Sequence, residues 1–98
     1  MELKLEGNYI DFTDFYDENK ELIYKSIIEL YKESLTTKKK TLTLFLSTKL
    51  SGLDYDTVFN FSKDDPIVLK RDIIPYFEQI ENYEICGEVN VLYNTLTS

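Results

Sequence analysis

From Thr41 to Leu50 the side chains alternate. Leu42, Leu44, Leu46 and Leu50 point one way, and Thr41, Thr43, Ser47 and Lys49 the other, which predicts a strand with one buried and one wet face. A turn at Ser51-Gly52-Leu53-Asp54 follows. Tyr55, Thr57, Phe59 and Phe61 then alternate with Asp56, Val58, Asn60 and Ser62, so the two runs form an antiparallel hairpin over residues 41–62. At the N-terminus Leu3-Lys4-Leu5-Glu6 also alternates and reads as a short strand. Gly7-Asn8 either closes a hairpin onto Tyr9-Ile10-Asp11-Phe12 or makes a bulge in one continuous strand.

The period changes between these strands. Ile23, Ile27, Leu30, Tyr31 and Leu35 recur at helical spacing, with Lys20, Lys25, Glu29, Lys32 and Glu33 on the other face. The pattern predicts a helix over residues 14–35, capped by Thr13 or Asp14 and supported by a Glu21–Lys25 pair. Lys38-Lys39-Lys40 suits the negative end of its dipole. Beyond the hairpin, Asp65 reads as an N-cap with Pro66 at the first helical position. Leu69, Ile73, Phe77 and Ile80 form an i,i+4 stripe, and Pro75 predicts a kink or a break near Asp72. Asn82 is the cap of a last helix burying Ile85, Cys86, Val89, Leu92, Tyr93 and Leu96, and Gly87 within it hints at close helix packing. Together these elements predict one α+β domain over residues 1–98. In it a small antiparallel sheet, the N-terminal strand plus the 41–62 hairpin, is packed by the long helix and a C-terminal helical hairpin over residues 66–96.

Composition narrows the chemistry more than the fold. The 98 residues include no His and no Trp, which removes the commonest general base and metal ligand. Three glycines, at 7, 52 and 87, cannot build a phosphate loop. Cys86 is the one cysteine, sits on an apolar helix face and reads as an inert packed thiol. With no partner thiol and no apolar leader at the N-terminus, a reducing, cytoplasmic setting is expected. Asp54 and Asp56 share one strand face and are the one candidate pair for a hard cation, although no third carboxylate or EF-hand register accompanies them. Neither a cofactor nor a catalytic residue is therefore expected, and the chain reads as a non-enzyme.

Charge supplies the remaining signal. Eleven Lys and Arg against eighteen Asp and Glu give a net charge of −7, which opposes direct nucleic-acid binding, and no apolar run is long enough for a membrane. No Lys or Arg follows Arg71, whereas Asp72, Glu78, Glu81, Glu84 and Glu88 do. Glu81, Glu84 and Glu88 fall on one helical face by spacing. With Tyr76 and Tyr83 the five acids Asp72, Glu78, Glu81, Glu84 and Glu88 form the candidate partner-binding set of a non-catalytic protein-interaction domain that meets a basic surface on another protein. In size and charge the chain also resembles the small inhibitors that phages use against restriction or CRISPR effectors. That likeness is one of composition without a motif, and it implies an acidic, cytoplasmic nucleic-acid mimic. A third expectation is a structural, homo-oligomeric subunit, paired through the Thr41–Leu50 strand if that strand lies at a sheet edge.

Overall fold

The computed structural model describes all of residues 1–98. The N-terminal segment begins with a short strand, β1 (Glu2–Lys4), and two helices follow, α1 (Phe12–Glu18) and α2 (Lys20–Ser34). The hairpin strands are β2 (Thr41–Leu50) and β3 (Leu53–Ser62). A π-helical turn (Leu69–Ile73) then runs straight into α3 (Ile74–Gln79), and α4 (Tyr83–Thr97) closes the chain. One layer of helices lies on one face of a three-stranded sheet, and the molecule measures 45 × 32 × 16 Å. Its radius of gyration is 14.2 Å, against about 12.6 Å for a compact chain of this length.

The sheet has the order β1-β2-β3, with β2 in the centre. β3 is antiparallel to β2 along an unbroken register from Thr41 opposite Ser62 to Leu50 opposite Leu53, whereas β1 runs parallel to β2. The sheet is thus mixed, which corrects the antiparallel expectation, and the Thr41–Leu50 strand is not an edge. The parallel pair arises because α1 and α2 lie between β1 and β2 and return the chain to the sheet's starting end. Gly7-Asn8 closes no hairpin. Leu3 faces Leu46 and Tyr9 faces Leu50, so the offset along β2 falls from 43 to 41 residues and two extra residues bulge out between them. Gly7 occupies that bulge at φ +144°, where a Cβ would stand 2.9 Å from the Tyr9 hydroxyl.

The buried face is the expected one: Leu42, Leu44 and Leu46 of β2 pack against Ile23, Ile27, Leu30 and Tyr31 of α2 in a single core. The helix over 14–35 is two helices. Asp11, not Thr13 or Asp14, caps the first, its carboxylate accepting from Asp14 N–H at 2.9 Å. Asn19 breaks the run: its backbone lies outside the helical region, and its amide nitrogen donates to the Phe15 carbonyl at 2.9 Å, competing with the helical ladder. Lys63, rather than Lys38–Lys40, serves the C-terminal end of α2, its ammonium donating to the Ser34 and Thr37 carbonyls. Lys40 pairs instead with Asp64 at 3.2 Å, and Glu21–Lys25 forms at 3.6 Å as its spacing predicts.

Pro75 does not break its helix. It lacks an N–H and its ring crowds the carbonyl four residues back, that of Arg71. The chain accommodates this with the π-turn, in which Ile74 N–H reaches the Leu69 carbonyl five residues back. Leu69, Ile73, Ile74 and Phe77 are thereby all buried. The helical backbone begins at Ile67, ahead of this turn, and the Asp65 side chain accepts no hydrogen bond there, so it does not act as the expected cap. Asn82 does cap α4, accepting from Ile85 N–H at 3.3 Å. Gly87 is exposed with open space where a Cβ would stand, so it marks no close helix packing.

Candidate functional site

The reversal between α3 and α4 is built by a C-terminal helix cap. Asn82 N–H returns to the Phe77 carbonyl at 2.8 Å and Glu81 N–H to the Glu78 carbonyl at 3.0 Å, the paired bonds of a Schellman motif. Such a motif places one residue in the left-handed region, here Glu81 at φ 61°. Glycine is the usual occupant, because a Cβ there costs about 1–2 kcal/mol. Glu81 therefore lies in the joint and not on α4, which corrects the expected Glu81–Glu84–Glu88 helical face.

The structure divides the seven predicted residues into three groups. Glu78, Glu81, Tyr83 and Glu84 gather at the apex of the hairpin, all exposed. Tyr83 is 65% exposed, and Ile80 beside it, which the charge pattern does not single out, is 45% exposed. None of the three apex carboxylates takes part in an ion pair. Glu88 stands apart on the flank of α4, paired with Lys32 of α2 at 3.7 Å.

Asp72 and Tyr76 form the third group, away from the apex. Asp72 accepts from Arg71 Nε at 3.0 Å and Nη2 at 2.7 Å, so its charge is met within the π-turn. Tyr76 is half-buried, edge-on to Tyr24 at 5.3 Å and to Phe77 at 5.1 Å. Burial, then the charges of Glu21 and Tyr24, raise its phenol above the ordinary value. Asp72 also lines a shallow aromatic slot between α1, α2, β3 and the segment from Val68 to Asp72, together with Tyr16, Tyr24, Phe59, Phe61 and Val68. There the Tyr16 hydroxyl donates to that of Tyr24 at 2.7 Å. Burial and then that bond hold the Tyr16 phenol well above its usual range. Nothing in the sequence signals the slot, because its residues are drawn from four separate segments.

Electrostatics separate the apex from a stability device. An anion in the first turn of a helix suits the dipole, and Glu84 stands there in α4. Glu78 lies in the last turn of α3, at the negative end, and Glu81 in strained backbone. Two of the three acids therefore stand where helix physics disfavours them.

Elsewhere Asp54 and Asp56 do share the outer face of β3, but Asp54 pairs with Lys49 at 3.9 Å. No three or more Cys, Asp or Glu side chains converge into a metal-binding group. Cys86 is buried against the Ile74 carbonyl, 3.7 Å from its sulfur, and burial followed by the charge of Glu78 pushes its thiol up, away from the reactive thiolate. No helix is long and apolar enough to cross a membrane. Compared with known proteins, the chain matches no family model, no curated protein and no solved structure.

Proposed function

We propose that this chain is a non-catalytic docking module whose α3–α4 apex engages a basic surface on another protein. The carrying observation is the placement of Glu78 and Glu81. Both are exposed and without a counter-ion, Glu78 where an anion opposes the helix dipole and Glu81 where any side chain strains the backbone, beside exposed Ile80 and Tyr83. A basic partner supplies what the fold does not: cations for three carboxylates around an apolar centre, with the charges guiding encounter and Tyr83 and Ile80 holding the complex.

The test is capture from native lysate by the tagged chain, at low and high salt and with nuclease treatment. The wild type is compared with Glu78→Lys, Glu81→Lys and Glu84→Lys combined. The reading expects one basic protein retained at low salt by the wild type and lost by the triple variant. Equal retention by the two proteins overturns it. A captured enzyme that added nucleic acid displaces would make the same apex a phosphate mimic, the alternative that the net charge of −7 favours.

A further inference from the structure

The two edges of the sheet differ in length: β1 is three residues long and β3 is ten. Lys63 N–H donates to the Lys40 carbonyl at 2.9 Å, which fixes the phase of the ladder: odd-numbered residues of β3 bond to β2. Asp54, Asp56, Val58, Asn60 and Ser62 accordingly turn their backbone groups to the open side. Of these, the Ser62 carbonyl accepts from the Tyr31 hydroxyl at 2.9 Å, whereas Asp56, Val58 and Asn60 have no backbone partner within the chain. Edge strands of soluble proteins are usually blunted by proline, lysine, bulges or brevity. β3 has no proline, lysine or bulge and is long; its charges are Asp54, which Lys49 pairs, and Asp56. Its inner side chains, Tyr55, Thr57, Phe59 and Phe61, are only half-buried, while Leu42, Leu44 and Leu46 on the neighbouring strand are buried.

We propose that β3 is a self-association edge, pairing antiparallel with β3 of a second copy about a two-fold axis at Val58 and joining two sheets into one. The pairing of Asp56 with the Asn60 amide favours this register. With Val58 opposite itself, Asp56 faces Asn60 of the second copy, and Asp54 faces Ser62. Asn60 is prepared for the contact: its side-chain oxygen already accepts from Thr43 Oγ1 at 2.9 Å, which leaves the amide nitrogen free to donate. Asp56 is a carboxylate without an ion pair. An axis at Thr57 would set Asp56 beside Val58, and an axis at Asp56 would oppose like charges. On the inner face the same register sets Tyr55 against Phe61 and Thr57 against Phe59 of the second copy, covering the half-buried aromatics. Asp56, Val58 and Asn60 together contribute about six ladder bonds across the axis.

This edge is separate from the acidic apex, so either reading can fail without the other. The test is sedimentation velocity on the full chain across the micromolar range, together with two variants. Val58→Cys places two thiols on the axis, where directly bonded strands bring Cα atoms to about 5.5 Å, within disulfide reach. Mild oxidation is expected to give a covalent dimer, while Phe45→Cys, on the same sheet face but on the central strand, stays monomeric. Asn60→Asp keeps an acceptor for Thr43 but sets a carboxylate against Asp56 on both sides of the axis, raising the dimer dissociation constant about tenfold. A monomer at every concentration leaves the edge to some other protein's strand and overturns the proposal. So does equal crosslinking of the two cysteine variants, or a dimer indifferent to Asn60→Asp.

Discussion

The two tightest reversals of this chain, the β2–β3 tip and the α3–α4 apex, both force a residue other than glycine into positive φ, Ser51 at 49° and Glu81 at 61°. They differ in what surrounds that residue. At the tip Ser51 N–H donates to the Tyr9 carbonyl at 2.7 Å and Ser51 Oγ to the Ile10 carbonyl at 2.9 Å. Gly52 N–H bonds Asn8 Oδ1 at 2.8 Å. The far end of the same ribbon is tied as well, by Tyr31 to Ser62 and by Lys63 to the end of α2. Backbone strain at Ser51 is thus offset by bonds to the N-terminal segment. At the apex the positive φ serves the two backbone bonds of the helix cap, to Phe77 and Glu78, but the Glu81 side chain makes no hydrogen bond or ion pair, so the fold accounts for the turn and not for a glutamate in place of glycine. A side chain that its neighbours hold belongs to the fold, and one kept at strained backbone without a contact is where a partner is sought.

The strongest way to break the contrast is at the tied end. Lys63→Met removes a charged donor from two carbonyls at the end of α2 and is expected to lower stability by about 2 kcal/mol, read from urea unfolding. Alkaline pH probes the same end more gently. Burial, followed by the charge of Asp65, pushes the Tyr31 phenol from 10 up to about 12. Between those values the unfolded chain has released its proton while the folded chain keeps it, so stability falls as pH rises through that window. Tyr31→Phe should make that slope shallower, leaving the share of the raised Tyr16 and Tyr76 phenols, and at neutral pH it costs about 1 kcal/mol for the bond to Ser62.

At the apex the expectation has the opposite sign. Glu81→Gly relieves the left-handed backbone and should raise stability by about 1 kcal/mol while weakening capture of the basic partner. If it gains stability and leaves capture unchanged, Glu81 does not contribute to the docking surface. Gly87→Ala sharpens the comparison as its control. It lies in the same hairpin, with open space for a methyl group, and should gain about 0.5–1 kcal/mol by helix propensity with no effect on capture.

What could be read from the sequence follows from which forces are local. The alternation from Leu42 to Phe61 located the hairpin and its buried face because strand periodicity is written residue by residue. Asn82 as a cap and the buried side of α4 were legible for the same reason. The parallel placement of β1 was not, since it depends on where the intervening helices return the chain. The Asn19 break is not legible either, because apolar spacing continues across it and one side-chain bond to Phe15 decides it. Pro75 pointed to the right stretch, but a kink, a break and a π-turn share one sequence signature. At the candidate site the acids were visible as an asymmetry of charge. Their separation into an unpaired apex, the Arg71-paired Asp72 and the Lys32-paired Glu88 required three dimensions.

The 16 Å thickness has one more consequence. Half of that is about 8 Å, so no atom of the interior lies further than two or three water diameters from bulk solvent, and the interior is a film rather than a sphere. In a film, a truncated side chain such as Leu44→Ala, fully buried in the wild type, leaves a void separated from solvent by little more than one layer of side chains. Xenon or benzene, which occupy such dry cavities in other proteins, would have only that one layer to cross on the way in.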